Sequence, residues 1–151
     1  MHDQVDHRRH PCAECPWRTD VDLSNFSDAD FAKLAANNGL PGHEATVDTP
    51  MMACHRDHAG TAHPRRLCAG WLAVVGRDHL SVRLKVLAGK LPDDVLDAGP
   101  DWPRLYSDLD EMLDHRPGPK QNGDPPAVRR RAQLKAATPA EHHLLAPTRD
   151  H

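Results

Sequence analysis

The sequence predicts a small, mainly α-helical domain that is stapled by a metal and has irregular loops and disordered termini. Hydrophobic residues make up 38% of the 151 residues, but aromatic residues make up only 4% and isoleucine is absent. A body with so thin a core usually needs a disulfide or a metal. Four cysteines are available for that purpose, and the apolar residues recur mainly at helical spacing. No apolar run approaches the roughly 18 residues that span a membrane.

The first helix is predicted over residues 28–37. Ser27, followed three residues later by Asp30, is close to a capping box, which marks the start of a helix. The apolar residues that share one face of this helix are Phe31, Leu34 and Ala35. Asn38-Gly39 is typical of a helix end in the left-handed conformation.

Two further helical segments are predicted after Cys68, which opens the first of them. The apolar face of that segment consists of Trp71, Leu72 and Val75, and Gly76-Arg77-Asp78 interrupts it. Leucines then recur with spacings of four, three and four residues, at Leu80, Leu84, Leu87 and Leu91. Val82 and Val86 alternate with the first leucines, which also fits a strand. The leucine spacing continues beyond the length of a strand, so a helix is preferred.

A final helix is predicted to begin at Asp101-Trp102-Pro103, where aspartate can cap the helix and proline fits its first turn. It should end near His115, because prolines follow at once. The apolar stripe of this helix consists of Trp102, Leu105, Tyr106, Leu109, Met112 and Leu113.

These elements divide the chain into three parts. Residues 1–10 are predicted to be a disordered N-terminus, residues 11–115 the four-cysteine domain, and residues 116–151 a disordered tail rich in Pro, Ala and Arg. Inside the tail, Ala127 to Ala137 could form a transient basic helix. The tail holds seven Lys or Arg and three Asp or Glu, so the remainder of the chain is acidic and does not resemble a nucleic-acid surface.

The four cysteines carry the predicted chemistry. They are Cys12, Cys15, Cys54 and Cys68. A C-x-x-C turn presents two thiolates to one metal, and two further cysteines complete the four soft ligands that zinc and iron–sulfur cubanes both use. Separately, Cys54 or Cys68 could be a small buried hydrophobe. The presence of all four cysteines together favours a metal site.

The metal is predicted to be a [4Fe–4S] cluster, with Zn²⁺ as the alternative. The second pair of cysteines is split by 13 residues, and single thiolates from separate segments suit a bulky cubane. Cys15-Pro16 also resembles the Cys-Pro of cluster proteins. For zinc, His58 follows Cys54 at an acceptable spacing, so His55 and His58 are possible substitute ligands.

Three residues near the cysteines are candidates for shielding a cluster or contacting a partner: Trp17, Arg18 and Trp71. The tryptophans could exclude water from the centre, and ordinary core packing explains them equally well. The guanidinium of Arg18 could donate to a thiolate or pair with Asp20 or Asp22.

A run of three arginines in the tail could contact an anionic partner, either nucleic acid or an acidic protein face. It consists of Arg129, Arg130 and Arg131. The plainer interpretation is a solvated tail. The first ten residues contain no apolar stretch typical of a secretory signal, so a cytoplasmic, reducing compartment is expected, in which cysteines serve metals or redox chemistry more than disulfides.

Three segments together resemble an uncharacterised family of small four-cysteine proteins of high-GC bacteria and their phages. They are Cys12-Ala13-Glu14-Cys15-Pro16-Trp17-Arg18, Met52-Ala53-Cys54-His55 and Cys68-Ala69-Gly70-Trp71-Leu72. The resemblance covers about residues 11–91 and implies a site at the four cysteines. The design is also similar to that of WhiB-like regulators, which are cluster proteins that dock on a sigma factor. Their cysteine spacing is different, and their Gly-Val-Trp-Gly-Gly turn is absent here.

The function expected from these features is a metal-binding module, redox- or metal-responsive and non-enzymatic, whose partner is a protein of the transcription machinery. Weak nucleic-acid contact through the tail is a further expectation. One alternative is a structural zinc domain that scaffolds a protein or nucleic-acid contact. Another is a thiol–disulfide oxidoreductase that uses Cys12 and Cys15, although the βαβ context of such motifs is missing.

Overall fold

The structure is a computed structural model that describes residues 4–40, 42–54, 66–117 and 124–145, with side chains of the last helix described to residue 137. The described residues form five α-helices: α1 Asp28–Asn37, α2 Ala69–Val75, α3 Leu80–Leu87, α4 Leu109–His115 and α5 Pro126–Leu145. Short 3-10 turns lie at Leu23–Asn25, Gly76–Asp78 and Asp93–Leu96. Within the described residues, β structure is limited to isolated bridges. The mainly α fold predicted from the sequence is confirmed.

Helix α1 has the predicted bounds and a complete capping box. The Ser27 hydroxyl accepts from the Asp30 amide, while the Asp30 carboxylate accepts from the Ser27 amide. The left-handed end is not formed, since Asn38 is extended, with φ −113° and ψ 136°. Tertiary contacts hold it there, because its side chain accepts a hydrogen bond from the Trp71 indole.

Helices α2 and α3 confirm the predicted interruption, which is the 3-10 turn Gly76–Asp78. Helix α3 ends at Leu87, earlier than the leucine repeat suggests. Gly89, with φ +73°, lets the chain reverse there, and the amides of Lys90 and Leu91 both bond to the Lys85 carbonyl. Among the residues of α3 only Val82 is buried, so the leucine spacing marks a helix but not its core face.

The final predicted helix is shorter than expected. Helix α4 begins at Leu109 behind an Asp108 cap, and it ends at His115 as predicted. The preceding residues, 103–106, are extended because they pair with the backbone beside the cysteine turn. The Thr19 amide donates to the Arg104 carbonyl, and the Tyr106 amide donates to the Trp17 carbonyl. These long-range bonds override the local preference for helix.

The N-terminus is attached to the body from Gln4 onward, in contrast to the predicted disorder of residues 1–10. The Val5 amide donates to the Lys90 carbonyl, and the Arg8 amide donates to the Leu67 carbonyl. Residues 1–3 lie outside the described part of the chain.

The predicted tail also differs from the structure. Helix α5 contains the predicted segment Ala127 to Ala137 and packs against α1. Val128 and Arg131 are buried. The Arg131 guanidinium donates to the carbonyls of Asn38 and Gly39 and pairs with Asp110 at 3.0 Å. The first turns of α5 therefore belong to the folded body.

The described helices include none that is both long and apolar enough to cross a membrane.

Removing the buried guanidinium should detach α5. We expect Arg131→Met to lower the free energy of unfolding by about 3 kcal/mol. The carbonyls of Asn38 and Gly39 lose their donor, and Asp110 keeps only the half-exposed Lys135 ammonium at 3.5 Å as an ion-pair partner. The neighbouring Arg130 is exposed, so Arg130→Met should change stability by less than about 0.5 kcal/mol. Urea denaturation of the two variants measures both values. Equal effects would mean that α5 is a solvated tail.

Candidate metal centre

The first two cysteines lie in a pair of consecutive tight turns. The Cys15 amide donates to the Cys12 carbonyl at 3.1 Å, and the Arg18 amide donates to the Cys15 carbonyl at 3.1 Å. Both side chains are buried. The turn is anchored to the body where Arg18 forms an antiparallel bridge with Leu105.

Backbone pairing brings the other two cysteines together. Ala53 and Leu67 form an antiparallel bridge. On either side of it, the Cys54 amide donates to the Arg66 carbonyl at 2.8 Å, and the Cys68 amide donates to the Met52 carbonyl at 3.0 Å. Cys54 and Cys68 are thereby held on adjacent backbones, and both are buried.

The four thiols approach one another as two pairs. The Sγ atoms of Cys15 and Cys68 are 3.7 Å apart, and the side chains of Cys12 and Cys54 share a hydrogen bond. The pairs also interact electrostatically, Cys12 with Cys15 and Cys54 with Cys68. In the described ranges, no three or more His, Cys, Asp or Glu side chains are already arranged around one ion position. The structure therefore brings together all four predicted cysteines, as a cluster of thiol pairs.

Gly70 lets α2 approach the cysteine turn. A β-carbon at this position would lie 2.8 Å from the Cys15 Sγ and 2.9 Å from the Trp17 Cβ. Both distances are shorter than real carbon contacts. Only glycine therefore allows the first turn of α2 to lie against Cys15.

Backbone amides point at three of the sulfurs. The Cys68 sulfur caps α2 by accepting from the Trp71 amide at 3.5 Å. The Cys15 sulfur accepts from the amides of Trp17 and Arg18, and the Cys12 sulfur accepts from the amide of Glu14. Hydrogen bonds to a thiolate favour its charged form, so this arrangement suits sulfurs that carry negative charge.

The thiols differ in acidity. The hydrogen bond from Cys68 lowers the pKa of Cys15, and the same bond together with burial raises the pKa of Cys68 well above its ordinary value. Burial raises the pKa of Cys12 to about 11. Of these three thiols, Cys15 is thus the one whose charged form is favoured.

Arg18 lies at the edge of the sulfur cluster. Its guanidinium pairs with the Asp20 carboxylate through two hydrogen bonds of 2.8 and 2.7 Å and donates to the Cys12 carbonyl at 3.2 Å. The pairing with Asp20 is the main reason that its pKa is raised, and the charges of Cys15 and Cys12 add to it. The Arg18 guanidinium therefore supplies positive charge beside the thiols without itself donating to a sulfur.

The two predicted tryptophans are both fully buried. The Trp71 indole N–H donates to Asn38 at 2.6 Å, and its ring packs edge-to-face on His79 at 5.3 Å. The Trp17 indole N–H is buried without a hydrogen-bond partner in the described structure. Both indoles are thus part of the core, and their role in shielding a cluster stays a prediction.

The two other groups of predicted site residues are the possible histidine ligands and the three arginines of the tail. His55 and His58 lie outside the described residues. Of the three tail arginines, Arg129 and Arg130 are exposed on α5. Arg131 is buried in its pair with Asp110. Its guanidinium therefore faces the body, and contact of the arginine run with an anionic partner stays a prediction.

Sequence reasoning missed Asn38, which connects the site to the helices. Its side chain accepts from Trp71 and donates to the Leu34 carbonyl, while its own carbonyl accepts from Arg131. Periodicity gave no signal for it, since Asn-Gly after a helix is typical of an ordinary helix end. The sequence patterns also gave no indication of the role of Gly70, because a single glycine in a helix has many explanations.

The fold and the site define a small helical protein with a buried four-thiol cluster. The chain belongs to a family of unknown function, DUF6283, which matches residues 7–132. The match includes the first turns of α5, in agreement with their packing against α1. Neither the curated proteins nor the solved structures contain a match to this chain.

A methyl group at Gly70 should separate α2 from the cysteine turn. We expect Gly70→Ala to lower the free energy of unfolding by about 2 kcal/mol through overpacking, although alanine favours a helix by about 1 kcal/mol. It should also make the thiols react faster with a disulfide reagent. Gly76→Ala is the control for thiol reactivity, which it should leave unchanged. Its β-carbon would meet the side chains of Leu96 and Val82 and none of the cysteines. Unchanged thiol reactivity in Gly70→Ala would contradict this account.

Protonation of His79 should destabilise the fold. Burial lowers its pKa below the ordinary 6.5, so the unfolded chain binds the proton first and the free energy of unfolding rises with pH in this range. We expect stability to fall as the pH drops below about 6.5 towards the lowered pKa. Denaturation from about pH 7 to pH 5 measures this slope. His79→Gln should flatten it, and the exposed His115→Gln should leave it as in the parent.

Proposed function

We propose that the protein is a non-enzymatic, metal-stapled binding module in which Cys12, Cys15, Cys54 and Cys68 hold one zinc ion. Metal loading would order the body and thereby control the surface offered to a partner. The observation that carries the proposal is the convergence of the four buried thiols from three separate segments.

The sulfur spacing supports a single ion. A tetrahedral zinc with Zn–S bonds of about 2.3 Å places its sulfurs about 3.8 Å apart, close to the 3.7 Å between Cys15 and Cys68. In a cubane each thiolate binds a different iron, which holds the sulfurs farther apart. The geometry therefore favours Zn²⁺ over the [4Fe–4S] cluster expected from the spacing along the chain.

Closing the site requires the two thiol pairs to share one ion. The Cys12/Cys54 pair would move onto the ion held by Cys15 and Cys68, and the metal would displace the thiol protons. Four thiolates around Zn²⁺ carry a net charge of −2. The backbone amides at three sulfurs and the guanidinium of Arg18 supply the compensating positive potential.

Metal binding would also supply folding free energy. The cysteine turn, the Met52–Cys54 segment and the start of α2 meet at the thiols, and a structural zinc site adds its binding free energy to the stability of such a small body. The thiol form of this site needs a reducing compartment, so we place the protein in the cytoplasm.

Burial argues against thiol–disulfide exchange as the function. A catalytic cysteine is accessible and has a lowered pKa. Cys12 is buried with its pKa raised to about 11. The pKa of Cys15 is lowered, but its side chain is fully buried. An attacking disulfide has no exposed thiol to meet in this arrangement.

A response to metal loss is part of the proposal, because hydrogen bonds connect the start of α2 to α5. Trp71 lies one turn after Cys68 and bonds to Asn38, which in turn accepts from Arg131 of α5. Loss of the metal would loosen the start of α2 and, through these contacts, the docking of α5. By the resemblance to WhiB-like regulators, the partner would be a protein of the transcription machinery.

Metal analysis of the protein purified without oxygen tests the proposal. We expect one zinc per chain, no colour, and a cobalt-substituted form with the absorption of tetrahedral thiolate coordination. Each Cys→Ser variant should lose most of the zinc and unfold at lower denaturant concentration. Arg129→Ala, which changes an exposed residue of α5, should retain the metal.

Other outcomes separate the alternatives. Iron with sulfide and a broad band near about 400 nm would identify a cluster at the same cysteines. A stable protein without any metal, insensitive to chelators and to single Cys→Ser changes, would overturn the metal site altogether.

A further inference from the structure

Helix α3 presents an apolar face to solvent. Its outward leucines are Leu80, Leu84 and Leu87, which are 37%, 47% and 82% exposed. Their spacing of four and three residues places them in one stripe along two turns of the helix. In most small proteins such a stripe faces the core.

The exposed apolar residues are concentrated on this one face. In the described part of the chain, the only other large hydrophobic residue that is exposed is Val47, at 51%. It lies beside the first turn of α3, because the Ser81 hydroxyl donates to the Val47 carbonyl at 3.1 Å. We call Val47, Leu80, Leu84 and Leu87 the leucine face, because they lie along α3 and beside its first turn.

The orientation of α3 is set by its opposite side. Val82 is fully buried and Val86 packs against the core. The Leu80 amide donates to the Ala45 carbonyl at 2.8 Å. A rotation that hid the leucines would expose these valines, so the protein cannot cover the leucine face by turning the helix.

The charges on and just after α3 are positive, whereas Asp48 lies next to Val47. Helix α3 carries Arg83 and Lys85 and no acidic residue, and Lys90 follows it. None of these three makes an ion pair within the described ranges, although Glu44 and Asp78 lie within electrostatic range of Arg83. A second copy of α3 would bring like charges together, whereas an acidic partner would be attracted.

We propose that the leucine face docks an acidic amphipathic helix of another protein. The partner helix would place apolar residues at i, i+3 or i+4, and i+7 on Val47, Leu80, Leu84 and Leu87. Its flanking Asp or Glu residues would lie near Arg83, Lys85 and Lys90. This surface is separate from the thiol cluster, and the inference does not depend on the identity of the metal.

A designed peptide tests the docking surface. The probe is a fluorescent two-heptad helix with leucines on one face and glutamates on its flanks, titrated with the protein of residues 1–151. A second peptide has lysine in place of every glutamate, and a third has the acidic composition in scrambled order. We expect the acidic helix to bind at least about tenfold more tightly than either of the others.

Variants of the protein locate the binding. The double variant Leu84→Gln/Leu87→Gln should weaken the acidic peptide about tenfold, and Arg83→Glu/Lys85→Glu should shift the preference to the lysine peptide. Arg129→Glu/Arg130→Glu, on exposed positions of α5, should change neither. Metal content and circular dichroism of the same samples show whether each variant is folded and loaded.

Three outcomes would overturn the proposal. The first is equal binding of the acidic and scrambled peptides, and the second is acidic-peptide binding that the folded leucine variant retains. The third is a concentration-dependent dimer that the leucine variant abolishes, which would assign the face to a second copy of the chain. Failure of the metal proposal would be visible separately, in the metal content.

Discussion

Contact between the start of α2 and the Cys12–Cys15 turn is the constraint on which the rest of the structure depends. It requires two features at once, a residue without a β-carbon at Gly70 and a sulfur at Cys68 that can both cap the helix and meet Cys15. The Tyr106 amide bonds to the Trp17 carbonyl within the same turn. One small region thus connects the first, middle and last thirds of the body. A chain with so few large apolar residues has little other means of holding these segments together.

Around this contact, buried polar groups are matched to one another with few exceptions. Asn38 satisfies the Trp71 indole, the Leu34 carbonyl and the Arg131 guanidinium, and Asp110 completes the pairing of that arginine. Such a network adds specificity more than stability, because each partner is costly to bury alone. It also connects the thiol cluster to α5 through direct contacts. A change at the thiol cluster can therefore reach a helix that is distant along the chain.

The residues of the candidate metal site are buried, whereas those of the proposed docking surface are exposed. The sulfurs, tryptophans and the polar network are buried, while the exposed large hydrophobic residues of the described chain are gathered along α3. Exposed apolar surface of this kind marks an interaction site more often than it marks a packing fault. A metal that holds the body rigid would also hold such a surface in one shape, which lowers the entropy lost on binding a partner.

Local signals in the sequence were sufficient for several parts of this protein. The Ser27–Asp30 pair and the apolar spacing determined α1 to the residue, Cys68 marked the start of α2, and the prolines after His115 marked the end of α4. These features act over one or two turns, so they can be read without knowing what packs against them. The cysteine count likewise identified the four residues that converge.

Tertiary structure decided the remainder. Residues 103–106 are extended because they pair with the cysteine turn. The leucines of α3 face outward because Val82 and Val86 occupy the core side. Arg131 is buried because its guanidinium pairs with Asp110 and donates to the carbonyls of Asn38 and Gly39. For residues 103–106 and for Arg131, a partner more than a dozen residues away outweighs the local preference. The same holds for the sulfurs, since only the folded chain shows that Cys15 meets Cys68 while Cys12 meets Cys54.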